Sequence, residues 1–126
     1  MSRSVPSASL IVDQIDLYDP PGGIIRAVGV LAADVTVSVF SNNSFMSWPL
    51  IDGTMVPDSS ISSGTIYFNE IVGQPGFYSV RFFPSRIGFW RLIFSIPSIT
   101  AEVIREFDVF SQSSGPANGL NASFTI

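Results

Sequence analysis

The chain has 126 residues, enough for one domain with a sizeable core, and only 13% of them are charged, against about a quarter in ordinary soluble domains. All six basic residues are arginine, dispersed among ten acids for a net charge of −4, which excludes the dense basic stripe that nucleic-acid binding requires. There is no His, Cys or Lys, so Ser-His-Asp, Cys-His and Ser-Lys nucleophiles, imidazole and thiolate metal sites, and disulfides are all excluded.

Residues 1–8, rich in Ser with Arg3 and Pro6, read as a flexible arm. Ser9 to Leu17 reads as a first strand, with Ile11, Asp13, Ile15 and Leu17 alternating against Leu10, Val12 and Gln14. The run Tyr18-Asp19-Pro20-Pro21-Gly22-Gly23 breaks it, and Ile24 to Val30 is expected to form a second strand. A bend or bulge near Ala32 to Asp34 leads into Val35, Val37 and Val39, which share a face opposite Thr36, Ser38 and Phe40. Ser41-Asn42-Asn43-Ser44 is a turn cluster, and Pro49 confines Phe45 to Ile51 to an edge or irregular stretch. Short strands are expected at Thr54 to Val56 and Thr65 to Ile71, with Ile66 and Phe68 on one face of the latter.

Gly76 to Ile96 organises the rest. Tyr78, Val80 and Phe82 fall on one face of one strand, and Trp90, Leu92, Phe94 and Ile96 on one face of the next. Pro84 and Gly88 bracket the reversal between them, which reads as a hairpin. A last long strand runs over Glu102 to Phe110, with Val103, Arg105, Phe107 and Val109 on one face. Residues 111–118 read as a linker and 119–126, GLNASFTI, as an alternating tail strand. No stretch has a convincing 3.6-residue apolar period. Seven to nine short strands with regular turn signals predict a single antiparallel β-sandwich spanning residues 9–110.

The stretch from Gly64 through GFYSVRFFPSRIGFW resembles the second half of bacterial and phage immunoglobulin-like domains, whose pattern is "pGxYxvxfxP", a turn, then "GxWxlxi". The matching positions are Gly76, Tyr78, Val80, Phe82, Pro84, Gly88, Trp90 and Leu92. The resemblance implies an immunoglobulin-like sandwich with Tyr78, Val80, Phe82, Trp90, Leu92 and Phe94 in the core. Tyr78 would hydrogen-bond nearby backbone and Trp90 would fill the space between the sheets. The chain lacks the paired cysteines of antibody domains, so their binding loops do not carry over. Such modules look like components of phage particles: neck, collar, tail or head-decoration proteins.

Little in the sequence points to chemistry. Asp13, Asp16 and Asp19 recur every three residues near a strand end. Without an Asp-x-Asp-x-Asp-Gly loop they read as solvated charges rather than calcium ligands. Glu70 with Asp108 is a carboxylate pair of no special spacing. Tyr18, Phe45 and Trp48 are candidates for an aromatic sugar platform, and core or edge packing is the alternative. Asn42 and Asn121 open N-x-Ser sequons. No apolar run is long enough for a signal-peptide h-region or a membrane span.

Hydrophobic residues make up 46%, with 11 Phe, and mean hydropathy is +0.41. A compact surface of Ser, Asn and Thr is one reading of this composition, and burial against other chains is the sharper one. The candidate interface residues are Phe45, Trp48, Phe124 and Ile126. The tail either folds back on its own domain or adds a strand to a neighbour's sheet edge. The expectation is a structural virion protein, made in the host cytoplasm without a signal peptide. It would form homo-oligomers and bind other virion proteins, with no cofactor, metal, nucleic acid, membrane or small-molecule substrate. An adhesion or carbohydrate-binding module is the alternative.

Overall fold

Apolar residues at every second position can be buried together only if pleated strands turn those faces toward one another. The computed structural model, which describes residues 3–111, does this with nine strands. They are β1 (Arg3–Pro6), β2 (Ile11–Asp16), β3 (Thr36–Ser41), β4 (Ser44–Met46), β5 (Leu50–Asp52), β6 (Ile66–Glu70), β7 (Phe77–Phe82), β8 (Gly88–Ile96) and β9 (Ala101–Phe110). A five-stranded sheet in the order β1-β9-β8-β3-β4 faces a four-stranded sheet in the order β2-β7-β6-β5. The architecture is all-β, two sheets packed as a sandwich. No helix among the described residues is long and apolar enough to cross a membrane.

The stretch Gly76 to Ile96 is an arch between sheets, not a hairpin. β7 pairs with β2 and β6, while β8 pairs with β3 and β9. The physical reason lies in the two apolar faces. Side by side in one sheet, Tyr78, Val80 and Phe82 would lie beside Trp90, Leu92 and Phe94 and still need covering. On opposite sheets the two faces cover each other. All six side chains are at most 1% exposed. Phe82 and Trp90 meet across the gap at 6.1 Å, and Phe82 also meets Phe107 at 5.5 Å. Each fully buried aromatic of this kind contributes roughly 1.5–3 kcal/mol of transfer free energy. The Trp90 indole N–H is satisfied by Arg86 O at 3.0 Å.

Pairing is not purely antiparallel. β1 runs parallel to β9, and β5 runs parallel to β6. Residues 3–6, read from sequence as flexible arm, are thus a strand, and Val5 within them is 5% exposed in the core. Four residues with a single apolar position carry too little alternation to signal a strand. Ser41-Asn42-Asn43-Ser44 closes the β3–β4 hairpin with both asparagines at positive φ, 51° and 66°. Asn42 also accepts the Phe89 N–H at 3.0 Å. Gly88, opposite, sits at φ +124°, a conformation L side chains rarely adopt, and a Cβ there would also run into the Asn42 amide.

Two expected strands are absent. Residues 24–30 form only an isolated bridge, Tyr18 to Arg26: backbone pairing stops after Asp19 N to Ile25 O and Ala27 N to Leu17 O, and beyond it the Tyr78 and Glu70 side chains take Ala27 O, Gly29 N and Val30 N. The expected bend at Ala32–Asp34 is a 3₁₀ turn. Residues 54–56 form a turn, and the strand lies earlier, at Leu50–Asp52. Arg81 draws the turn's carbonyls away from any ladder, donating to Gly53 O at 2.6 Å, Val56 O at 2.8 Å and Asp58 at 2.7 Å. The chain changes sheets between β4 and β5, and Trp48 is tucked in at that crossing, 5.3 Å from Trp90 and 6.4 Å from Phe82.

Candidate interaction surface

The segment from residue 18 to residue 31 covers one pole of the sandwich, and three side chains fix it there. The Tyr78 hydroxyl donates to Ala27 O at 2.6 Å and accepts from Val30 N at 3.2 Å. Glu70 accepts from Gly29 N at 3.1 Å and from Gly76 N at 2.9 Å, tying two loops together. The Arg26 guanidinium lies over Phe77 at 4.0 Å and Tyr18 at 4.9 Å, with Asp16 3.7 Å away. Gly76, at φ +86°, allows this approach, since a Cβ there would stand 2.6 Å from Arg26 Cβ. Burial raises the Tyr78 phenol above its usual value, and the nearby Glu70 charge adds to that.

With the backbone pinned and Ala27 and Val30 turned in, the apolar residues around them point outward. Ile24 is 93% exposed, and Ile25, Val28 and Leu31 are each more than half exposed. Met55 at 90%, Val72 at 88% and Ile51 are exposed as well. Between the 30–33 segment and β5 lies a groove of about 510 Å³, lined by Val30, Leu31, Leu50, Ile51 and Phe68 with Asn69 and Glu70 at its polar rim. A second depression shares Thr54 and Asn69 with it and reaches Val72. Large exposed apolar patches on soluble proteins mark contact sites.

The four sheet edges are treated differently. On β2 the outward carbonyls of Val12 and Gln14 accept from Arg3 at 2.8 Å and Arg105 at 3.3 Å. Arg105 Nε also lies 3.0 Å from Asp13 Oδ2, a close ion pair without an aligned hydrogen bond to that buried oxygen. β1 carries Pro6, which has no N–H. β4 is three residues long. On β5, Ile66 N bonds Pro49 O and Gly53 N bonds Phe68 O. By the alternation of a parallel ladder, the N–H and C=O groups of Leu50 and Asp52 face away from β6. Asp52 turns its carboxylate aside to Thr54, accepting from Oγ1 at 2.6 Å and from N at 3.0 Å. These bonds lower its pKa, the side-chain one most. Among the described residues no hydrogen bond meets these outward groups, and the 32–34 turn packs alongside β5 as the far wall of the groove.

The residues singled out from sequence are placed as follows. Phe45 is exposed on β4, edge-on to Phe40 at 5.7 Å. Trp48 packs half-buried on the core, so its ring serves the sandwich rather than the surface. Phe124 and Ile126, with Asn121, lie outside the described residues. Tyr18 is engaged by Arg26 at the pole, and no ring contact joins it to Phe45 or Trp48, so the aromatic platform is not assembled. Asp13 and Asp16 pair with different arginines, and no group of three acids that could hold a metal is found among the described residues. Glu70 and Asp108 sit on different sheets, and Glu70 is occupied with backbone amides. The outward Ile24–Leu31 surface was missed because its residues read as a strand. Gly22, Gly23 and Gly29 around it were the available signal. Compared with protein-family models and with curated proteins, the chain matches none.

Proposed function

We propose that this chain is a structural subunit of a viral particle, of the neck, collar or head-surface kind, that oligomerises and holds neighbouring particle proteins through apolar surface. The observation that carries the reading is the exposed apolar pole and flank, Ile24, Ile25, Val28, Leu31, Ile51, Met55 and Val72, on a protein with few charges to keep such a surface solvated. The viral assignment rests on the resemblance of the Gly76 to Leu92 motif to phage immunoglobulin-like domains.

Strand order supports that resemblance. Taking β2, β7 and β6 as B, E and D, and β3, β8 and β9 as C, F and G, the sheets follow the immunoglobulin scheme with β4 in the C′ place. Three features depart from it. β5 adds to the sheet of β2, β7 and β6, parallel to β6, where the scheme has no strand. Tyr78 lies on the E-like strand and bonds backbone 48 and 51 residues away rather than at a local corner. The core Trp90 lies on the F-like strand rather than on C.

Sedimentation of the full chain over a wide concentration range tests the proposal. Reversible mass increase is expected, and a monomer at every concentration overturns it. Neighbouring portal or tail genes would be the expected genomic setting for the viral part of the reading.

A further inference from the structure

We propose that the groove beside β5 receives residues 120–126 of a second copy of this chain, added as a strand to the open β5 edge. The inference rests on the assembly reading and names the contact that drives it.

The groove's chemistry selects the occupant. Its walls are Val30, Leu31, Ala32, Ala33, Leu50 and Ile51, and no basic side chain lines it, so an anionic ligand finds no counter-charge. Its two acids are already engaged, Asp52 by Thr54 and Glu70 by Gly29 and Gly76. What fits is an uncharged segment with an apolar side and a backbone free to pair. LNASFTI is such a segment: Leu120, Ala122, Phe124 and Ile126 alternate with Asn121, Ser123 and Thr125, with no charged side chain. The period of two matches an edge that offers the N–H and C=O of Leu50 and Asp52 at alternate residues. Strand addition would supply those groups with partners and lay Phe124 against the groove's apolar floor.

The donor is a second copy because of where β9 ends. β9 lies beside β1, on the flank opposite β4 and β5. To reach its own groove, the chain leaving Phe110 must cross about 14 Å of inter-strand spacing and roughly 10 Å between sheets, rounding an edge on the way. The path also runs back along the sandwich, since Val109 lies beside Gly88 near the Phe82 end of β7 while the groove reaches Glu70 near the Tyr78 end. The nine residues from Ser111 to Gly119 would thus be drawn close to their full length of about 30 Å. A neighbour's groove requires no such detour. A segment leaving one flank and a groove on the other make a head-to-tail contact, which closes into a ring when the rotation permits.

Sedimentation of full-length variants tests this. Ile51→Arg places a charge in the groove, and Phe124→Asp places one in the segment. Ile51 is partly exposed, and no core residue among those described is altered. Wild type is expected to assemble beyond a dimer and each variant to run as a monomer with the melting temperature of wild type diluted below its assembly range. Mixing the two variants should restore a dimer and nothing larger, since one intact segment then meets one intact groove. If Phe124→Asp still assembles, the segment contact is wrong while the assembly reading stands. If wild type is monomeric throughout, both fall. If the mixture stays monomeric, the segment does not cross between copies. Leu31→Arg, on the facing wall, should repeat the Ile51→Arg result, and a fully assembling Leu31→Arg would overturn the groove assignment.

Discussion

On the β1/β2 flank two arginines reach over an exposed strand and take its carbonyls, Arg3 at Val12 and Arg105 at Gln14. On the β4/β5 flank no side chain among the described residues donates to the outward carbonyls of Leu50 or Asp52, and an apolar groove lies alongside. Both flanks face the same hazard, since an unpaired strand edge is a template for another chain. One edge is closed by charge, at the cost of ordering two long side chains. The other is left open, three residues long and walled by a pinned loop. A fold that protects its longer exposed edge and leaves a short one beside apolar surface confines pairing to one place. The difference therefore concerns specificity more than stability.

The largest expected effect comes from the loop that walls the groove. Tyr78→Phe removes the hydroxyl that serves both Ala27 O and Val30 N, leaving two buried backbone groups unpaired. The cost should be about 2–3 kcal/mol, read by urea unfolding, with faster hydrogen exchange at Val30. The same hydroxyl gives a pH signature. The folded pKa of Tyr78 is raised, chiefly by burial, above the ordinary 10.0. Its contribution is therefore complete below about pH 10 and lost as pH rises through the raised value. Alkaline unfolding should weaken in Tyr78→Phe relative to wild type. If stability and Val30 exchange are unchanged, the groove wall does not depend on β7.

Much of the sandwich was legible because its strands alternate cleanly. Ile66 and Phe68, or Trp90, Leu92 and Phe94, can be buried together only on one face of a strand. Which strands pair was less legible. Pro84 and Gly88 mark a reversal equally well for a hairpin or an arch, and only the need to cover two aromatic faces decides between them. The loop from Ile24 to Leu31 misled for a related reason. Its apolar residues are as dense as a strand's, yet ladder pairing ends at Leu17 and Asp19, and Ala27 O, Gly29 N and Val30 N are met by the Tyr78 and Glu70 side chains, more than forty residues away. The open β5 edge was hidden by Pro49, which excludes pairing at its own N–H but not at Leu50 and beyond. Arg105 read as one polar residue on an apolar face, and its reach to Gln14 and Asp13 depends on a neighbour 91 residues away in sequence.

The arginine caps allow the contrast to be reversed. Arg105→Ala removes the Gln14 cap and the Asp13 ion pair, whose side chains are 36% and 20% exposed. Discounted for that exposure, the loss should be about 1–2 kcal/mol. Combined with Arg3→Ala, it leaves the outward groups of β2 open along six residues. In an Ile51→Arg background, which closes the other flank, the double variant should regain concentration-dependent association through β2. A strictly monomeric triple variant would mean that the arginines do not guard that edge.

The smallest effect is at Asp52, where the open edge meets its turn. The carboxylate holds the Thr54 hydroxyl and amide, the pKa is lowered by them, and the group is fully exposed. A depressed folded pKa contributes stability above the ordinary 3.8 and loses it as pH falls through the lowered value. Asp52→Asn keeps an oxygen for both bonds but cannot titrate. Its melting temperature should lie slightly below wild type at neutral pH, with the gap narrowing on acidification. The same substitution should leave assembly mass unchanged, because the edge groups offered to an incoming strand are the main-chain N–H and C=O of residues 50 and 52. A loss of assembly in Asp52→Asn, with no change in melting, would shift recognition from the β5 backbone to this side chain.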